Sequence, residues 1–286
     1  MSIVVTGATG HLGRLVIADL LERGVEAGGI AAVVRDPGKA ADLAAKGVEV
    51  RVATYDDPQT LKGAFAAGDR VLFVSGNDVG RRLPQHTAVV DAARGAGVGL
   101  LAYTGILGGP EADLALAEEH KLTERLILDS GLPHTFLRNG WYTEVYTQNL
   151  GTVLEHGAVV ASAGEGRVSS AARADYAAAA AVVLTGEGHE GKAYELSGDT
   201  AWSFAEYAAA VAQASGQEIA YRNVSSEQYL EILVGAGLPA AFAEVLVDVD
   251  RAIGRGLLAG TSGDLSRLIG RPTTPMPQSV AAALKG

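Results

Sequence analysis

The 286-residue chain contains no cysteine. That excludes disulfides, a thiol nucleophile, a cysteine-ligated zinc and an iron–sulfur cluster. Aromatic residues make up only 6% of it. Basic residues are the minority charge, 23 against 33 acidic, for a net charge of −10. Such a chain gains little from counterion release at phosphates, so neither a nucleic acid nor an anionic membrane is an expected partner. Any anionic ligand has to be held locally, by backbone amides and a few placed cations. Long apolar runs are also lacking. The longest, Ala177 to Leu184, falls far below the roughly 20 residues that a membrane span needs. The short apolar run after Met1 has no basic region before it, so a cytoplasmic protein is the expectation. The six histidines show no metal-ligand spacing, and no metal is expected.

What is present is a core-forming composition, 48% hydrophobic, and an alternation of short β-rich runs with longer amphipathic ones. Strands are predicted at 3–6, 30–34, 48–52, 71–74, 98–103 and 134–137. The intervening helices are predicted at 12–23, 58–66, 84–96 and 112–129. Continuous apolar strands separated by helices imply a parallel sheet covered on both faces. Beyond Gly140 the pattern loosens. Short strands (158–161, 193–196, 219–222) mix with helices at 176–184, 204–214, 226–234 and 239–252. The predicted organisation is a core of residues 1–140 and a smaller lobe, 141–286, interleaved with it. The alanine runs at 177–181 and 208–210 favour helix and point to no function.

Gly7-Ala8-Thr9-Gly10-His11-Leu12-Gly13 places three glycines between the first strand and the first helix. The first permits the tight strand-to-helix turn. The second lets backbone amides approach a pyrophosphate. The third lets the helix pack close to the sheet. The helix N-terminus offers free N–H groups and a partial positive charge to the phosphates. This is the dinucleotide signature of a Rossmann-type α/β domain, a doubly wound parallel sheet of expected strand order 3-2-1-4-5-6 with a smaller C-terminal α+β lobe. At the end of the second strand, where an acid commonly holds the ribose 2′-hydroxyl, stand Arg35 and Asp36. The Arg35 guanidinium suits a 2′-phosphate, and charge-assisted bonds of about 1.5–3 kcal/mol imply a preference for NADPH of about tenfold to a hundredfold or more. The alternative is a pairing of Arg35 with Asp36 or another surface carboxylate.

Ligands of such sheets lie at the carboxyl ends of the strands. Ser75-Gly76-Asn77, Tyr103-Thr104-Gly105 and Asn139-Gly140-Trp141-Tyr142 are therefore expected to face the ribose and nicotinamide. Trp141 and Tyr142 either wall a flat pocket or pack against the second lobe. Arg173 is a weaker cofactor or substrate candidate, and Asp175 reads as a helix N-cap. His11 sits beside the cofactor without a chemical role, and His86 reads as structural.

The segments TGATGHLG, VVRDP, VGRRLPQH, LRNGWYTE and ARADYAAAAA resemble the NmrA-like branch of the atypical short-chain dehydrogenases, and within it the bacterial type 2 NADPH:quinone oxidoreductases. The resemblance runs through nearly the whole chain. It implies NADPH held by Gly7 to Leu12, Arg35, the Ser75 loop and the Asn139–Tyr142 turn, and two-electron reduction of a quinone-like acceptor without flavin. The usual Tyr-x-x-x-Lys pair of short-chain dehydrogenases aligns with Leu116 and His120, so neither member is present, and Gly105 replaces the usual hydroxyl. Alcohol–ketone interconversion is thereby disfavoured. Hydride delivery to a quinone demands less, since solvent or a nearby histidine can protonate the product. His120 is the candidate acid, with packing at the pocket rim as the alternative. A dinucleotide-sensing regulatory protein without turnover fits the missing pair equally well. The oligomeric state is open, with a homodimer among the expectations.

Overall fold

The computed structural model describes residues 1–285. Its strands are β1 (Ile3–Val5), β2 (Ile30–Val34), β3 (Glu49–Val52), β4 (Arg70–Phe73), β5 (Leu100–Ile106), β6 (His134–Asn139), β7 (Ala158–Ala161), β8 (Arg167–Val168), β9 (Lys192–Leu196), β10 (Trp202–Ser203) and β11 (Ala220–Asn223). Its α-helices are α1 (His11–Glu22), α2 (Ala41–Ala45), α3 (Pro58–Leu61), α4 (Arg82–Ala96), α5 (Ala117–Ser130), α6 (Glu144–Thr147), α7 (Leu150–His156), α8 (Arg173–Thr185), α9 (Phe204–Ser215), α10 (Ser226–Gly235), α11 (Ala240–Gly254), α12 (Asp264–Ile269) and α13 (Met276–Ala283). They form two compact units.

The first unit comprises Met1–Pro110, Glu118–Asn139 and Arg173–Glu195. Its sheet has the order β3-β2-β1-β4-β5-β6-β9, the expected doubly wound sequence with β9 added beyond β6. The pairs among the first six strands are parallel, with Ile3 opposite both Ile30 and Arg70. Every residue of β2 is buried, as required of a strand covered on both faces. One core layer gathers Val4, Val33, Phe73, Val89, Leu101, Tyr103 and Ile127. On the other side α8 packs against α1 and also reaches β4. The alanines 177–181 are all essentially buried there, and their small side chains permit that close helix packing.

The second unit comprises Glu111–Ala117, Gly140–Ala172 and Leu196–Gly286. It holds two strand pairs, antiparallel β10–β8 and parallel β11–β7. Its core contains Trp202, Phe204, Tyr207, Val211, Ile253 and Val280. Capping boxes start α9 (Ser203 with Glu206) and α10 (Ser225 with Gln228), which satisfies backbone donors that each helix would otherwise leave free.

Several expectations need correction. The two units alternate along the chain, with different bounds from those expected: residues 173–195 belong to the first unit and 111–117 to the second. The helix read at 58–66 ends at Leu61, ahead of Gly63. The helix read from Ala112 begins at Ala117. The preceding segment is held otherwise: the Ala115 N–H donates to Asp248 and Arg255 binds Asp113, contacts within the second unit. The fifth strand starts at Leu100, not Val98, because the Val98 N–H closes the end of α4 on the Ala93 carbonyl beside left-handed Gly97. Asp175 is no N-cap, since α8 starts at Arg173 and Asp175 lies buried in its first turn.

Candidate functional site

The carboxyl ends of β1, β2, β4 and β6 carry the residues singled out above. After β1 the chain turns at Gly7, whose φ of +59° suits glycine. The Gly10 N–H returns to the Gly7 carbonyl at 2.9 Å. Gly10 is the N-cap of α1 and supplies no side-chain acceptor, so the first-turn amides have no side-chain cap. Gly13 has a different role from the one expected. A Cβ there would lie 2.4 Å from the Gly7 oxygen and 2.8 Å from the Ala8 Cα. The third glycine thus lets the helix close on the backbone of its own loop, not on the sheet. Ala8 is buried, Thr9 half-buried, His11 exposed and Leu12 buried. The loop fits a diphosphate: its cradle is drawn shut by contacts that only glycine allows.

Arg35 follows β2, is exposed, and makes no salt bridge among the described residues. Asp36 is otherwise engaged. Its carboxylate accepts the Gly38 N–H at 2.9 Å and caps the short 3-10 helix Pro37–Ala40. Arg35 thus forms no ion pair with Asp36, although its charge helps hold the Asp56 carboxyl below its usual range.

The Ser75-Gly76-Asn77 loop after β4 is anchored from beneath. The Ser75 N–H donates to Thr104 Oγ1 at 2.9 Å, and the Gly76 N–H to His86 Nε2 at 3.0 Å. Arg82 Nε donates to the Gly76 carbonyl at 2.7 Å. With Nε2 accepting, neutral His86 carries its proton on Nδ1, which faces Thr123 Oγ1 at 2.8 Å. The Thr123 hydroxyl donates in turn to the Glu119 carbonyl at 2.7 Å. The Glu119 carboxylate accepts the backbone N–H groups of Gly80 and Arg82. Burial pushes the His86 imidazole down to about 3, helped by the Arg82 charge. His86 is a neutral brace.

Tyr103 and Thr104 are misplaced by the sequence reading. Because β5 continues to Ile106, both lie inside the strand and are buried. Thr104 supports the Ser75 loop from behind. The Tyr103 hydroxyl meets His120 Nδ1 at 2.7 Å, and its ring packs on Phe73 and His86. His120 itself is 7% exposed. Burial first, then the charge of Arg82, pushes its imidazole down to about 3, so it is neutral near pH 7. Its neighbour Lys121 pairs with Glu118 at 2.8 Å. At Gly105 an added Cβ would stand 3.3 Å from Glu124 Oε1. Glu124 is itself bound by Arg138 through Nε at 2.9 Å and Nη2 at 2.7 Å.

Asn139 ends β6 and is buried, its carbonyl accepting the Leu107 N–H at 3.0 Å. Gly140, Trp141 and Tyr142 belong to the second unit. There the Gly140 N–H donates to the Leu196 carbonyl at 2.7 Å, Tyr142 bridges to Ala171, and Trp141 packs against the Trp202–Phe204 core. Arg173, half-buried, opens α8 in the first unit. Sequence reasoning missed Arg82 and Thr123 as supports of the loop. The only signal was the VGRRLPQH segment itself, which carries both Arg82 and His86. Among the described residues no cluster of histidines or carboxylates could hold a metal ion, and no helix is long and apolar enough to cross a membrane.

Comparison with known proteins agrees with this geometry. The family described as NAD(P)H-binding matches residues 7–187. Quinone oxidoreductase 2 of Escherichia coli is 46% identical, over 98% of this chain and 97% of its own. The crystal structure of the NADPH-dependent quinone oxidoreductase from the same organism, complexed with NADPH, superposes with a TM-score of 0.95 at 45% identity, covering 99% of each chain. The triphenylmethane reductase of Citrobacter sp. complexed with NADP(H) gives 0.94 at 44% identity, covering 99% of this chain and all of that one. With its phosphate loop, its sheet order and these relatives in agreement, the chain belongs to the NAD(P)H-binding family of Rossmann-type oxidoreductases.

Proposed function

We propose that the protein is an NADPH-dependent oxidoreductase that reduces quinones or similar flat electrophilic acceptors by direct hydride transfer, without flavin. The observation that carries this reading is the pairing of the glycine-closed phosphate loop with a salt-bridge-free Arg35, in a chain 46% identical to a quinone oxidoreductase along almost its entire length. NADPH, when bound, supplies the hydride. The chain supplies the setting. Backbone amides from Gly7 to Gly13 hold the diphosphate, and Arg35 clasps the 2′-phosphate. The Ser75–Asn77 loop, stiffened by His86, Arg82 and Thr104, orients the nicotinamide end, with Asn139 and Arg173 as further assigned contacts of the same unit.

The proton balance explains why no strong acid is needed. A quinone that accepts a hydride is left as a hydroquinone monoanion, which water can protonate. An alcohol–ketone reaction instead needs a positioned proton carrier, and this chain has Leu116 and a neutral His120 at those places. His120, neutral near pH 7, shares a hydrogen bond with the Tyr103 hydroxyl. The test is to add a simple benzoquinone to protein and NADPH and follow the reduced-nicotinamide absorbance. Steady oxidation in proportion to the protein is expected. Tight NADPH binding without turnover on quinone or dye acceptors would favour the sensing role instead.

A further inference from the structure

Tyr55 follows β3, yet its hydroxyl lies between the ends of two other strands. It hydrogen-bonds with Thr6 Oγ1 and with the Val74 carbonyl, the latter at 2.9 Å. A phenol hydroxyl can donate once and also accept, which is enough for both contacts. Thr6 and Val74 are the residues that immediately follow β1 and β4. In the sheet order β2 and β1 stand between β3 and β4, so Tyr55 ties together two strands to which its own strand is not paired. The backbone ladder of β1 and β4 runs out at this level. The Thr6 N–H still donates to the Leu72 carbonyl at 3.0 Å, but at Gly7 the chain turns away with a φ of +59°. Side chains take over the joint. The Val74 N–H donates to Thr6 Oγ1 at 3.0 Å, and the Tyr55 hydroxyl closes on both residues. Its ring stands edge-on to Phe73 and His86, with centroids 5.6 and 6.5 Å away. Burial pushes the phenol above its ordinary range, so the hydroxyl keeps its proton.

We propose that Tyr55 is a positioning residue for the cofactor: its hydroxyl clamps the ends of β1 and β4 together and so holds the glycine loop in the shape that receives the diphosphate. The inference rests on the NADPH reading above. The contacts run without a gap from the clamp to the cradle. Gly7 lies directly on Val74, where an added Cβ would stand 3.5 Å from the Val74 Cβ. The Gly7 carbonyl accepts the Gly10 N–H at 2.9 Å, and it is the atom that a Cβ on Gly13 would meet at 2.4 Å. A shift of Thr6 against Val74 therefore moves Gly7, and with Gly7 the turn that carries the first amides of α1. Holding a binding loop in its bound shape lowers the ordering cost of association. The clamp acts through the diphosphate, which NADPH and NADH share, so it serves both nucleotides equally. One neutral hydrogen bond at the joint corresponds to about threefold to tenfold in affinity.

The experiment is a calorimetric titration of the full-length protein with NADPH and, separately, with NADH, on the wild type, Tyr55→Phe, Thr6→Val and the double variant, with thermal unfolding of each. Phenylalanine keeps the ring contacts with Phe73 and His86 and removes only the hydroxyl. Well below its melting temperature, Tyr55→Phe is expected to weaken both nucleotides by one common factor of about threefold to tenfold. With a benzoquinone as acceptor, the loss falls on the KM for NADPH, and kcat at saturating NADPH stays within about twofold of the wild type. The titrations decide whether or not the quinone is turned over. Because the two hydroxyls form one joint, adding Tyr55→Phe to Thr6→Val weakens binding by less than about twofold more. A merely structural hydroxyl would lower the melting temperature and leave both affinities unchanged, and that result overturns the inference. So does a loss for NADPH alone, which would put the effect on the 2′-phosphate through Arg35, or fully multiplicative losses in the double variant. Should Thr6→Val fail to fold, Tyr55→Phe decides by itself. Absence of binding by either nucleotide to the wild type would instead sink the cofactor assignment itself.

Discussion

Replacing Gly13 with alanine would put a methyl carbon 2.4 Å from the Gly7 carbonyl oxygen and 2.8 Å from the Ala8 Cα. Both neighbours are backbone, so no side chain can swing away, and the loop itself has to move. Overpacking of this kind costs about 1–3 kcal/mol, only partly offset by the gain of about 1 kcal/mol that alanine brings to a helix interior. The larger effect falls on binding. The displaced atoms are those whose amides meet the diphosphate, and loss of one or two charge-assisted bonds at about 1.5–3 kcal/mol each lowers NADPH affinity by at least about tenfold. Two companion variants calibrate the scale. In Gly10→Ala the new carbon would stand 3.1 Å from the same Gly7 oxygen, so its loss should be smaller. In Gly151→Ala, within α7, the new carbon meets nothing within 4 Å, so stability should hold or rise and affinity stay unchanged. Thermal unfolding and calorimetry on the three proteins give the ordering. Wild-type affinity and melting in Gly13→Ala would refute the close-contact argument.

Acid should destabilise the fold through His86 and His120. Both are held near 3 when folded, against about 6.5 in the unfolded chain. Their contribution is therefore complete above about pH 6.5 and is lost as pH falls toward 3, at about 2 kcal/mol each by pH 5, measurable by urea unfolding. His120→Gln should remove about half of that sensitivity while lowering quinone turnover by no more than about a hundredfold. Asp250 works in the opposite sense. Burial pushes its carboxyl up to about 6, so its penalty is full above pH 6 and is relieved as pH falls toward the unfolded value near 4. Asp250→Asn should keep the Ser162 contacts weakly and flatten that part of the profile in the same unfolding series.

Much of the sheet was legible because buried parallel strands announce themselves as apolar β-branched runs. The second strand, Ile30–Val34, and the later Ala158–Ala161 coincide with the sequence reading. The strand order followed from the Rossmann signature. What failed was set by tertiary contacts. Helix α8 is apolar all round, so no amphipathic face revealed that it returns to the first unit and packs on α1. Tyr103 and Thr104 read as strand-end residues, yet the pairing with β6 continues through Gly105 opposite Arg138. The histidines could be seen but not their state, which depends on burial and on the charge of Arg82. That charge lay unremarked in the sequence because a second arginine beside Arg81 reads as another solvated cation, whereas Arg81 alone is exposed and pairs with Asp56 at 2.8 Å.

The direct test is a titration of the wild type and Arg35→Ala with NADPH and NADH. Arg35 makes no salt bridge among the described residues, so its removal should act chiefly on the 2′-phosphate. The expected result is a loss of NADPH affinity of about tenfold to a hundredfold, the worth of one charge-assisted contact, with NADH binding little changed. Equal losses for both nucleotides, or no loss for either, would contradict it.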